Sequence, residues 1–122
     1  MVKSVIILTD STPVGKNSPL EAIRLGSGFM GLGEDIACKI VFRGDAVLTL
    51  SKMIDPTKVG IDSYAEHLEM AELSDLELCA VEEDLKARGL TKEDLIEYEL
   101  LKIVSLANVS EMIQTAETTF RF

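Results

Sequence analysis

Val5-Ile6-Ile7-Leu8, inside the opening MVKSVIILTD (residues 1–10), is the stretch on which the fold turns. A strand with one wet face alternates apolar and polar side chains, whereas an unbroken apolar run bounded by Ser4 and Thr9-Asp10 fits a strand buried on both faces, as in a parallel sheet. Helices must then cover both faces of that sheet. The same run is too short for a signal-peptide core or a membrane span, so a cytoplasmic protein with no membrane association is expected.

Outward from this run, strand-like and helix-like segments alternate. Ser18-Pro19-Leu20-Glu21 offers an N-cap, a proline for the first helical turn and a capping-box glutamate. Ala22, Leu25, Phe29 and Leu32 recur at helical spacing, and Gly31 and Gly33 end the helix. A second strand is expected over Ile36–Phe42, a short helix from Gly44 to Lys52 and a loop over DPTKVGID (55–62). Ser63-Tyr64-Ala65-Glu66 is a second capping box, opening a helix with Tyr64, Leu68 and Ala71 on one face that runs to about Leu73. A third strand is expected over Leu76–Ala80, then a helix from Glu82 to Arg88 closed by Gly89, and a turn capped by Thr91 and Asp94. Ile103–Leu106 reads as a fourth strand, Asn108 or Ser110 as the opening of a last helix to about Glu117, and TTFRF as a closing strand. This order predicts one α/β domain over residues 1–122, a three-layer α/β/α sandwich with a mostly parallel sheet of about five strands.

The 122 residues suit a single domain, since domains cluster near ~100–150 residues. With 47% hydrophobic and 27% charged residues the composition is globular rather than disordered. Twelve Lys and Arg against 21 Asp and Glu give a formal charge of −9, a field that repels phosphate backbones. Direct nucleic-acid binding is therefore not expected, and no basic amphipathic helix suggests a membrane surface.

The loop TDSTPVGKNSP places Gly15-Lys16 ahead of a helix, but a Walker A loop needs glycine where Asp10 stands and Ser or Thr where Asn17 stands. A turn into a helix is the plainer reading, with a flavin-type phosphate at this strand end as a lesser alternative. Arg43-Gly44-Asp45 reads as a strand-to-helix turn rather than an adhesion tripeptide. His67 has no second ligand type at helical spacing, and one His with two separated Cys makes no recognisable zinc site. The sequence therefore implies no metal and no cofactor.

The two cysteines remain. Cys38 falls inside a strand, where cysteine behaves as a small buried hydrophobe. Cys79, in LELCAVEEDLKARGL (76–90), falls near the carboxyl end of a strand feeding a helix, where α/β sheets open their crevices. Helix amides would lower its thiol pKa, and Glu82, Glu83 and Asp84 would raise it. From the residues alone, a reactive Cys79 at an open strand end and a packed core cysteine both stand.

Several segments together resemble the DsrE/DsrF/TusD-like sulfur-relay family: VIILTDSTP, the strand end VFRGDAV, Cys79 with Arg88-Gly89-Leu90 following at a C-x8-R-G-L spacing, the acidic turn TKEDL, and KIVSLANVSEMI. The likeness covers nearly the whole chain, and the spacing is unusual for flavodoxin-like folds at large. It implies a DsrE-like domain assembling into trimers or hexamers. It also implies a cysteine, here Cys79, that accepts sulfur as a persulfide from a protein donor and passes it to a protein acceptor, in tRNA thiolation or sulfur oxidation. Such chemistry needs no bound cofactor. Other members of the family serve as non-catalytic interaction subunits, which makes such a subunit the alternative to a sulfurtransferase.

Overall fold

The structure, a computed structural model, describes residues 3–12, 17–33, 35–52 and 65–122. Gly15-Lys16, the 55–62 loop, and Ser63 and Tyr64 of the second capping box lie outside the described residues.

The apolar opening run forms β1 (Lys3–Thr9), and β2 (Ile36–Phe42) lies parallel to it with Val5 beside Cys38 and Ile7 beside Ile40. Strands β3 (Glu77–Val81), β4 (Leu101–Val104) and β5 (Thr118–Arg121) complete a five-stranded sheet in the order β4-β3-β2-β1-β5. Every ladder in it is parallel. The three-layer α/β sandwich expected from the sequence is the fold observed.

Period-two alternation divides the sheet residues between two cores. Val5, Ile7, Cys38, Ile40, Phe42, Leu78 and Ala80 point to one face. That face is covered by α1 (Ser18–Met30), the 3-10 segment Gly44–Leu50, α2 (Ala65–Leu73) and α3 (Glu82–Ala87), which contribute Ala22, Ile23, Val47, Leu50, Ala71 and Leu85. Ile6, Val41, Cys79 and Val81 point to the other face, where α4 (Leu106–Thr115) supplies Val109 and Met112. Each fully buried Ile, Leu or Val stabilises the fold by about 1.5–3 kcal/mol relative to exposure, so the thicker face dominates stability. Among the described residues, α4 is the helix that covers the second face.

Several boundaries differ from the sequence reading, each for a local reason. The N-cap of α1 is Asn17 rather than Ser18, because the Glu21 N–H already reaches the Asn17 carbonyl at 2.9 Å. Glu21 pairs forward with Arg24 at 3.1 Å instead of closing a capping box. Strand β3 lies one residue later than expected. Strand β4 ends at Val104 and α4 opens at Ser105, since Ser105 and Asn108 form a capping box in which the Asn108 N–H donates to Ser105 Oγ at 3.1 Å. This is a turn earlier than an opening at Asn108 or Ser110. The Thr91–Asp94 cap is present, with the Thr91 N–H donating to Asp94 Oδ2 at 2.8 Å.

Candidate functional site

Cys79 is the middle residue of β3, flanked in the sheet by Val41 of β2 and Lys102 of β4. Leu78 and Ala80 take the thick core, so alternation turns the Cys79 thiol to the α4 face, among Ile6, Val41, Val81 and Val109. It is 1% exposed. The sequence reading of an open strand end beside helix amides is therefore corrected: α3 begins at Glu82 and packs on the opposite face, away from the thiol. Burial, reinforced by the Glu77 carboxylate and opposed by the ammonium groups of Lys39 and Lys102, pushes the Cys79 thiol up to about 11. Cys38, on the thick face and 3% exposed, is pushed up by burial to about 12. At neutral pH both are thiols, not thiolates.

The last turns of α4 reach the amino end of β3, where Met112 and Thr115 line the same cavity as Glu77. Lys39, Glu77 and Lys102 stand there side by side, with Glu77 holding Lys102 Nζ at 2.7 Å and Lys39 Nζ at 3.4 Å. The shared carboxylate raises the Lys102 pKa. Together with Cys79, Met112 and Thr115 these residues line a shallow cavity of about 290 Å³. Nothing along the chain hints at this cluster, because its members come from three strands and meet only through the parallel register.

At the carboxyl ends, β3 and β4 are neighbours whose helices leave to opposite faces, α3 to the thick core and α4 to the thin one. Such a divergence opens the crevice in which α/β sheets hold ligands, with helix amides available to an anion. Here the chain fills that position itself: the Glu83 carboxylate accepts the Leu106 N–H at 3.1 Å on each oxygen. Beside it Arg88 donates to Asp45 at 2.8 and 3.1 Å and to the Asp84 carbonyl at 3.0 Å. Arg43 Nε and Asp84 Oδ2 stand 3.9 Å apart, beyond hydrogen-bond range. Gly44, with φ +56°, turns the chain from β2 into the 3-10 segment, as the turn reading of Arg43-Gly44-Asp45 has it. An added Cβ there would also meet the Asp10 carbonyl at 3.4 Å. Asp10 itself is held by Arg121 at 2.6 Å, which ties β1 to β5. Glu83 and Arg88 were visible in sequence only as parts of an acidic helix and an R-G-L motif. Their roles depend on residues 23 and 43 positions away.

Among the described residues no helix is long and apolar enough to cross a membrane. The fold is shared with the ychN protein of E. coli, at TM-score 0.80 and 18% identity, and with a protein of unknown function from Methanobacterium thermoautotrophicum, at TM-score 0.72 and 18% identity; in both cases all of each chain is covered. In sequence the chain is 25% identical over 140 aligned positions to the intracellular sulfur oxidation protein DsrF of Allochromatium vinosum, covering 100% of this chain and 98% of that one. The family model described as DsrE/DsrF-like matches residues 3–122, the whole of the sheet and its helices, and by that match the chain belongs to the DsrE/DsrF-like family.

Proposed function

We propose that this protein works in a cytoplasmic sulfur-relay system as a non-catalytic subunit that binds protein partners, with neither of its own thiols carrying the sulfur. Membership of the DsrE/DsrF-like family and likeness to a sulfur oxidation protein support the relay role. The observation that carries the subunit reading is the burial of Cys79, 1% exposed with its thiol pushed up to about 11. A persulfide donor must bring its outer sulfur into line with an attacking thiolate, and this thiol is neither charged nor exposed. As in the resemblance, the subunit assembles with copies of itself or its relatives into a trimer or hexamer. Light scattering that gave only a 13.4 kDa monomer at micromolar concentration would remove the self-assembly claim.

A second reading makes Cys79 the sulfur carrier, in tRNA thiolation or sulfur oxidation. It is favoured by the Lys39 and Lys102 charges in the cavity that Cys79 lines, both of which favour the thiolate. In that reaction the Cys79 thiolate attacks the outer sulfur of a donor persulfide, a sulfur–sulfur bond forms as the donor's breaks, and the donor leaves as a thiolate. No external oxidant is needed. One experiment separates the two readings: incubation with a cysteine desulfurase and cysteine, followed by mass spectrometry of the intact protein. The subunit reading expects no added sulfur while a competent carrier in the same tube is loaded. One sulfur on the Cys79 peptide, absent from Cys79→Ala, would overturn it.

A further inference from the structure

We propose that the free edge of β4 is a strand-addition site for a short, extended, acidic segment of a protein partner. Among the described residues β4 ends the sheet, with β3 on one side only. In a parallel ladder a residue sends its N–H and C=O to the same side, and successive residues alternate sides. The Leu78 N–H donates to the Leu100 carbonyl at 3.0 Å, and Leu78 lies opposite Leu101. Leu100, Lys102 and Val104 therefore face β3, while Ile103 turns its N–H and C=O outward. Among the described residues those groups have no partner, so an incoming strand could pair with them.

The side chains along this edge suit the same visitor. Lys92, Leu95, Leu101, Lys102, Ile103 and Val104 line a cavity of about 460 Å³, and Ile103 is 38% exposed. The edge carries no proline, and its one charged side chain, Lys102, would repel a basic strand and favour an acidic one. In a chain of formal charge −9, the cavity along this edge is lined by two lysines and, among the described residues, no carboxylate. Lys102 and Lys39 share the carboxylate of Glu77, and Glu111 lines the same cavity and balances that cluster, so the positive charge left at the edge is that of Lys92. Asp94, near Lys92 in sequence, is bonded back to Thr91. Glu93, Glu97 and Glu99 line the adjoining cavity instead, which confines an acidic visitor to the stretch alongside Leu101–Val104. Apolar side chains facing the sheet and carboxylates between the two lysines are what such a segment needs. The inference rests on the sheet edge and stands apart from the sulfur reading.

The test uses the whole chain and, as probe, a fluorescein-labelled amidated peptide of alternating glutamate and valine, about eight residues long, followed by anisotropy at low salt. Saturable binding is expected, weakened about tenfold by Lys92→Glu and abolished by Ile103→Pro, which removes an outward N–H without touching the β3 ladder. A probe N-methylated at alternate amides should fail against the unaltered protein, an arm that decides even if Ile103→Pro unfolds. A lysine–valine peptide binding as well as the acidic one, or N-methylation leaving affinity unchanged, would overturn the proposal. So would a fall in oligomer size with Ile103→Pro, because the edge would then belong to a second copy.

Discussion

Glu83, the second residue of α3, accepts the Leu106 N–H at the start of α4 on both carboxylate oxygens at 3.1 Å. Two helices that leave adjacent strands toward opposite faces are thereby joined across the crevice between them. The carboxylate occupies the place an anionic ligand would take, satisfying an amide that the helix itself cannot.

Glu83→Ala should cost about 1 kcal/mol of stability, the usual worth of an N-terminal cap. Glu83→Gln, which keeps an acceptor and loses the charge, should cost less. Urea denaturation followed by circular dichroism measures both, and equal, negligible losses would show that the contact carries no free energy.

Glu77 raises the Cys79 pKa while Lys39 and Lys102 lower it. Glu77→Gln removes the raising charge and leaves both lysines without their carboxylate, so the Cys79 thiol should fall below its value of about 11. The pH dependence of reaction with a small alkylating agent, measured in a Cys38→Ala background, reads this directly. A Cys79 titration unmoved by the substitution would count against the electrostatic account.

Both cysteines are neutral in the fold and ionise more easily once unfolded, with folded pKa values of about 12 for Cys38 and 11 for Cys79 against 9.0 for a free thiol. A raised folded pKa gives stability that is whole below pH 9 and lost as pH climbs through the folded values. The urea midpoint should drop as pH rises from about 9 through 11 and on to 12. A double Cys→Ala variant should flatten that part of the fall. A midpoint falling equally steeply in the double variant would assign the loss to other groups.

Cys79→Ala exchanges a buried thiol for a methyl group and should be mild, about 1 kcal/mol. Cys79→Ser places a hydroxyl among Ile6, Val41, Val81 and Val109, where an unmet hydrogen bond costs about 1–3 kcal/mol. The serine variant should therefore melt below the alanine variant. The reverse order would mean that the hydroxyl finds a partner.

Much of the fold was legible before any coordinates. Val5–Leu8 announced a parallel, doubly covered sheet, because only burial on both faces tolerates an unbroken apolar run, and Ile36–Phe42 proved to be a strand with the bounds read from sequence. The boundaries that slipped were those set by caps. Asn17 and Ser105 are chosen by which amide reaches which oxygen, and several nearby residues in each stretch could have served.

The sequence by itself determined the alternation of strands and helices, the charge of the surface and the presence of a cysteine in the third strand, since these depend on neighbours along the chain. Only the tertiary structure decided which way that cysteine faces and what lies over it. Alternation splits β3 into two sets of side chains, but the choice of face came from Leu78 and Ala80 joining the thick core and from α4 crossing the other side. The same packing set Glu77 between Lys39 and Lys102 and brought Glu83 to Leu106, contacts between residues up to 38 positions apart that no local periodicity encodes.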